Sequence, residues 1–191
     1  MKKNKLQIGK DLEVERFIYG ITRQIWESEQ INSIYDYYNE DVIVRSPRNT
    51  TYKCKDVIDS TKDTLSQFPD RQLIGEDVIW SGDNKNGILS SHRILSTATH
   101  KGNGFYGKST EKSIMYRVIA DCFIIDNKVV EEWIVRDESA ILNQLGFTVK
   151  KFVEMKIKEQ FFNKRCLNSI SNAFDIKNII TNNSNEFTKT Y

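Results

Sequence analysis

The sequence predicts an α+β domain in which helices precede a strongly curved, antiparallel sheet that encloses one pocket. Three observations lead there. Apolar residues recur at helical spacing through the first third of the chain; β-branched and aromatic runs broken by turn clusters follow from residue 70; and the strand faces combine apolar with ionisable side chains. Helices placed before a long meander imply a sheet that buries one face against them. At 191 residues the chain is long enough for one domain with one core.

The elements follow in order. Val14, Phe17, Ile18, Ile21 and Ile25 share a helical face, which predicts an amphipathic helix over 10–29. Ile31, Ile34, Tyr35 and Tyr38 repeat that pattern until Asn39-Glu40-Asp41 interrupts it, and Val42-Ile43-Val44 before Pro47 reads as a short strand. Val57, Ile58, Thr61 and Leu65 predict a third helix over 55–68, closed at Phe68-Pro69 because proline disfavours helical geometry in the residue before it. Turn clusters at Ser81–Asn84, Lys101–Gly104 and Asp126–Lys128 then divide four strands, near 72–80, 87–100, 110–125 and 128–137. Their short connections require antiparallel pairing. Ile141, Leu142 and Leu145 before Gly146 predict a short closing helix. The main domain is expected to span 1–147. Residues 148–191 are expected to form an extension with helices at Val149–Phe161 and Leu167–Phe174 and a polar, disordered tail from Thr181.

Composition narrows the function classes. Lys and Arg total 28 against 26 Asp and Glu, with the signs interspersed, so no single-sign field is present to attract nucleic acid or a membrane surface. The positive start Met1–Lys10 lacks an apolar stretch behind it, which predicts a cytoplasmic protein. Cys54, Cys122 and Cys166 are far apart and form no metal-binding or disulfide spacing, so they are expected as apolar filler and no metal is expected. Gly102-x-Gly104-x-x-Gly107 is not followed by a helix and is no dinucleotide signal.

Alternation along the strands selects candidate pocket residues. His92 and His100, the two histidines of the chain, share a parity with Ile88, Ser90, Ile94, Ser96 and Ala98. In the next strand Met115, Arg117, Ile119, Asp121, Phe123 and Ile125 form one set, and in the last Glu131, Trp133, Val135 and Asp137 form another. Apolar walls with a few ionisable groups are the composition of a ligand pocket. A carboxylate held there has a raised pKa and becomes a usable acid or base near neutral pH, which makes Asp137 and Asp121 the candidates. Asp137 also directly precedes the closing helix, as an N-cap would, and Asp121 lies near Arg117, as an ion-pair partner would. His92 and His100 are supporting catalytic candidates. Trp133, Arg117, Trp80, Met115, Phe123 and Tyr38 are candidate substrate contacts.

The stretches Phe68-Pro69-Asp70, Gly82-Asp83, Thr99-His100-Lys101-Gly102, Glu131-Glu132-Trp133-Ile134-Val135-Arg136-Asp137 and Leu142-Asn143-Gln144-Leu145-Gly146 together resemble the SnoaL-like polyketide cyclases, or ester cyclases, of the nuclear transport factor 2-like superfamily. The resemblance spans about 12–147. It implies a cone-shaped α+β barrel with a deep pocket, commonly a homodimer through the sheet, and ring closure by an intramolecular aldol reaction without metal or cofactor. It places the pocket aspartate at the Trp-x-x-x-Asp close of the last strand, here Trp133 and Asp137, with His100 and His92 orienting substrate oxygens. The chain departs from the family pattern at Phe105–Thr110, which lacks proline, and at Cys54, where relatives carry glycine.

The first functional expectation is a cofactor-independent acid/base enzyme acting on a small carbonyl or ester compound as a cyclase, isomerase or lyase. The second is a non-catalytic small-molecule binding protein using the same pocket. A third is a protein interaction module using the outer sheet face and the C-terminal helices, because one fold hosts many functions.

Overall fold

The computed structural model describes residues 7–8, 13–28 and 30–162, with backbone only for 160–162. Cys166, the helix expected over Leu167–Phe174, the polar tail and the first residues of the expected 10–29 helix lie outside the described residues. Contacts divide the chain into two units, Met1–Gly146 and Phe147–Tyr191.

In the first unit α1 (Val14–Thr22) buries Val14, Phe17, Ile18 and Ile21, and continues through a π-helical turn at Arg23–Glu27 that keeps Ile25 on the same buried stripe. A 3₁₀ turn, Ile31–Ser33, leads into the single turn α2 (Ile34–Tyr37). Tyr38 has an extended backbone and opens β1 (Tyr38–Arg45), so the helix expected through Tyr38 stops one residue earlier. After β2 (Thr50–Thr51), α3 (Cys54–Gln67) ends beside Phe68-Pro69 as the proline requires. Its inward stripe is Cys54, Ile58 and Thr61.

The meander follows as β3 (Gln72–Asp83), β4 (Gly87–Thr99), β5 (Ser113–Ile125) and β6 (Lys128–Arg136). These strands pair antiparallel in sequence order. The curved sheet has six strands in the order β2-β1-β6-β5-β4-β3 and is not closed. The β1–β6 pair is parallel, a feature the strand-by-strand reading did not supply. Helix α4 (Glu138–Leu145) closes the unit: the Asp137 carboxylate accepts from the Ala140 N–H at 2.9 Å, and Gly146 takes the left-handed conformation at φ 92°.

The core lies between the helices and the inner sheet face. Phe17, Ile18 and Ile21 of α1 and Ile58 of α3 cluster with Val78, Ile88, Cys122, Ile124 and Val129. Cys54 and Cys122 are free and buried. In the second unit, α5 (Val149–Phe162) carries Phe152, whose ring lies 5.9 Å from that of Phe147.

Two irregularities decide which residues face inward. The β3–β4 register shifts between Gly75 and Asp77. In the β5–β6 pair Ile124 faces Val129 and Phe123 faces Glu131, leaving Val130 as the extra residue. A bulge reverses the alternation beyond it. Val129 is fully buried, and past Val130 the inward residue is Glu132, not Glu131.

Candidate active site

A cavity of about 540 Å³ opens inside the first unit, between α3 and the inner face of the sheet. Its apolar wall includes Trp26, Leu73, Ile94, Val118 and Ile134, and its ionisable groups are Tyr38, Arg48, Asp63, Arg71, Glu132 and Arg136. Asp63 is exposed, so the enclosed chemistry rests on one carboxyl, one phenol and three guanidiniums.

Glu132 is the buried carboxyl, 7% exposed. Burial pushes its pKa up to about 7, against the opposing pull of the Tyr38 hydroxyl, the Cys122 thiol and the more distant Arg136. Tyr38 donates to Glu132 Oε2 at 3.1 Å. Burial, with the neighbouring Glu132 charge, holds the Tyr38 phenol well above its ordinary pKa, so it remains a donor. Cys122 stands directly opposite Glu132 in the β5–β6 ladder, and its thiol is likewise pushed up by burial. Sequence places these three groups together for separate reasons: Tyr38 opens β1, the strand that runs parallel to β6, Cys122 is on the apolar parity of β5, and the Val130 bulge turns Glu132 inward.

The guanidiniums gather elsewhere in the cavity. Arg71, just before β3, donates from Nε to Ser96 Oγ at 3.2 Å and lies over the Trp26 ring, 4.8 Å from its centroid. Arg48, in the loop after β1, packs over Phe105 at 4.1 Å and Tyr106 at 4.8 Å and donates to the Tyr106 hydroxyl at 2.6 Å. Tyr106 in turn donates to Glu138 Oε2 at 2.7 Å. Glu138 Oε1 is 3.7 Å from Nε of both Arg48 and Arg136.

Several expected site residues are placed elsewhere. Asp137 is exposed and serves as the α4 cap, so the leading candidate base does not line the cavity. Met115, Arg117, Asp121 and Phe123 belong to the outer parity of β5, whereas the inner parity is Ile114, Tyr116, Val118, Ala120, Cys122 and Ile124. The inward set is the uniformly apolar one, because a strand face carrying Arg117 and Asp121 would be costly to enclose. Arg117 makes a two-bonded ion pair with Glu76 at 3.0 Å and is not paired with Asp121. Trp133 is on the outer parity of β6, with Arg45 5.3 Å over its ring. Trp80 is 47% exposed and outside the lining.

Both histidines are buried, yet neither lines the cavity. His92 meets the Tyr19 ring edge-on at 5.2 Å, and burial lowers its pKa to about 4. His100, just past β4, stacks on Phe68 at 5.2 Å and contacts Thr110 Oγ1 at 3.2 Å, which ties down the loop between β4 and β5. Its pKa is lowered, chiefly by burial. Of the expected contacts, Tyr38 alone lines the cavity. Glu132, Arg71, Arg48 and Arg136 were missed. A signal for Arg136 and Glu132 existed in their shared parity, but choosing that parity required the bulge.

Among the described residues no group of three or more His, Cys, Asp or Glu is arranged to hold a metal ion. No described helix is long and apolar enough to cross a membrane.

Helices packed on a curved six-stranded sheet around a side-chain-lined cavity define the α+β fold of the nuclear transport factor 2-like superfamily. The family profile for SnoaL-like polyketide cyclases matches residues 16–145, and the chain belongs to that family. Similar solved structures include AclR from Streptomyces galilaeus, provisionally designated a hydroxylase, at 23% identity and TM-score 0.59, covering 69% of this chain and 83% of that one. A SnoaL-like polyketide cyclase from Agrobacterium tumefaciens matches at 13% identity and TM-score 0.59, covering 71% and 99%. TsrD from Streptomyces laurentii matches at 14% identity and TM-score 0.60, covering 71% and 98%. At these identities the structural likeness is one of fold. No curated protein is significantly similar in sequence.

Proposed function

We propose that the chain is a cofactor-independent acid/base enzyme of the cyclase type, acting on a small carbonyl compound, with Glu132 as the group that moves the proton. One observation carries this reading: a carboxyl enclosed in the cavity, held by the Tyr38 hydroxyl and with its pKa raised to about 7. A base poised near the working pH combines a useful ionised fraction with a useful basicity.

The Glu132 carboxylate takes a proton from a carbon beside a carbonyl, and the C–H electrons move into an enolate. That carbon attacks a second carbonyl carbon of the same molecule, forming the new C–C bond. The resulting alkoxide recovers the proton from the Glu132 carboxylic acid, so the ring closes with no net gain or loss of atoms. Tyr38 fixes the carboxyl orientation by its hydrogen bond to Glu132. The same fold supports isomerisation or elimination by the same proton transfer, and the product distinguishes them.

The reading takes the enzyme as cytoplasmic and as a homodimer formed through the outer sheet face. Ile79, Leu89, Met115 and Val135 are exposed there. Its partner is a small molecule, not nucleic acid or membrane.

The test is mass spectrometry of small molecules that co-purify with the wild-type protein and with Glu132→Gln. A compound retained by the variant and converted by the wild type identifies substrate and base together. The same compound retained unchanged by both would make this a binding protein.

A further inference from the structure

Three arginines from separate parts of the chain line the same cavity: Arg48 after β1, Arg71 before β3 and Arg136 at the end of β6. Each is held in place. Arg48 is clamped over two aromatic rings and bonded to Tyr106, Arg71 is stacked on Trp26 and bonded to Ser96, and the Arg136 side chain is only 13% exposed. Their three positive charges outnumber the carboxylates in ion-pair range of them among the described residues. Among the described residues the only carboxylate in ion-pair range of any of them is Glu138, whose Oε1 stands 3.7 Å from both Arg48 Nε and Arg136 Nε.

That separation is too long for a hydrogen bond. Nε of Arg48, Nε of Arg136 and the Glu138 Oε1 between them are all buried without a hydrogen-bond partner, and Glu138 Oε2 is already used by Tyr106, so one carboxylate oxygen faces two donors. Arg71 has no ion-pair partner among the described residues. Burial lowers its pKa, the Tyr116 hydroxyl opposes that shift, and the neighbouring positive charges of Arg136 and Arg48 add to it, so the three guanidiniums sense one another. A purely structural role would explain Arg48 as the clamp on Tyr106. It leaves an enclosed cluster of three cations with Glu138 and, further away, Glu132 as the carboxyls beside them, an excess of positive charge that costs free energy unless an anion completes it.

We propose that Arg48, Arg71 and Arg136 form an oxyanion subsite, so that the compound accepted in this cavity carries a carboxylate or phosphate group on an apolar body. Planar guanidiniums with fixed N–H directions suit either oxyanion. Trp26, Ile94, Val118 and Ile134 provide the wall for the apolar body. Glu132 and Arg136 share the inner face of β6, four residues apart, so the anionic group and the reacting carbon are separated by up to about 13 Å along the strand. The proposal rests on the acid/base reading for placing the reacting carbon at Glu132; the oxyanion subsite itself is tested by binding alone.

The experiment is calorimetric titration with 2-naphthoate, its neutral isostere 2-naphthamide, and 2-naphthyl phosphate, near neutral pH. Wild type is expected to bind one or both anions about tenfold or more tighter than the amide, the scale of a charge-assisted hydrogen bond in an enclosed site. The stronger of the two identifies the oxyanion. In Arg71→Gln that preference should fall to about threefold or less while amide affinity stays level. Arg48→Gln carries the same expectation if circular dichroism shows Arg71→Gln to be unfolded. Equal affinity for anions and amide in wild type, including no measurable binding of any, overturns the proposal, as does a preference that survives both substitutions. Glu132→Gln should keep the anion preference. If that variant also keeps full turnover, the acid/base reading fails while the oxyanion subsite stands.

Discussion

The two strands that flank β5, β4 and β6, both present an ionisable residue to the interior, and they do so by different means. In β4 the alternation runs unbroken from Ile88 through His92 to Ala98, each of them inward and buried except for the outward residues between. In β6 the extra residue Val130 reverses the alternation, so Val129 and Glu132 are both inward. The consequence is chemical as well as geometric. His92 is packed against Tyr19 away from the cavity with its pKa lowered to about 4, whereas Glu132 is delivered to the cavity with its pKa raised to about 7. Both shifts come first from burial, which disfavours the charged form in each case. Only the group beside the cavity can use its shift on a substrate.

The largest effect should come from the β6 side. Glu132→Gln is expected to lower turnover by about 10²–10⁴-fold, the usual contribution of a general base, with His92→Gln changing it far less. Equal losses in steady-state assays of the two variants would break the contrast.

The pH dependence of stability sharpens it further. Glu132 binds its proton more tightly folded than unfolded, where a Glu titrates near 4.3, so stability falls as pH rises through about 4.3–7 and the penalty is then constant. The total is on the order of 4 kcal/mol. His92 has the opposite sign: its neutral folded form makes stability rise as pH climbs from about 4 to the unfolded value near 6.5. Thermal melts from pH 4 to 8 should therefore show Glu132→Gln more stable than wild type at pH 8 and level with it near pH 4. The wild-type turnover rate should climb through about pH 7. An unchanged melting profile in Glu132→Gln would mean that the carboxyl is not enclosed.

Asp137 offers a smaller comparison at the far end of the same strand. As a cap it should tolerate Asp137→Asn, which preserves the accepting oxygen, and lose about 1 kcal/mol on Asp137→Ala. Denaturant unfolding with a parallel rate assay separates this from catalysis, because a base at this position would lose turnover in the Asn variant. The smallest effect on the fold belongs to the outer face. Val135→Lys or Met115→Lys should change monomer stability by no more than about 0.5 kcal/mol while shifting the protein to monomer in light-scattering chromatography. A protein already monomeric as wild type would remove the outer face as a dimer surface.

Much of the fold was legible from residue order. The stripe Val14, Phe17, Ile18, Ile21 and Ile25 predicted α1, the Phe68-Pro69 pair predicted the end of α3, and the turn clusters predicted the meander, because each depends on interactions within a few residues. Gly146 and the capping role considered for Asp137 were local in the same sense. The candidate site was much less legible. Alternation points His92 inward, where it is buried, but in β5 it offers the charged parity as the pocket face whereas the uniformly apolar one faces in. In β6 the tempting set Glu131, Trp133, Val135 and Asp137 would have been continuous with buried Val129 had the strand been regular.

What the sequence by itself determined was therefore the set of elements and the superfamily fold, since hydrophobic periodicity and turn chemistry act over short range. Tertiary structure alone decided that Tyr38 of β1, parallel to β6, meets Glu132, that three arginines distant in the chain share one cavity, and that both histidines stay outside it. The physical reason is register: strand pairing sets which side chains face inward, and one unpaired residue at Val130 is enough to exchange the two faces.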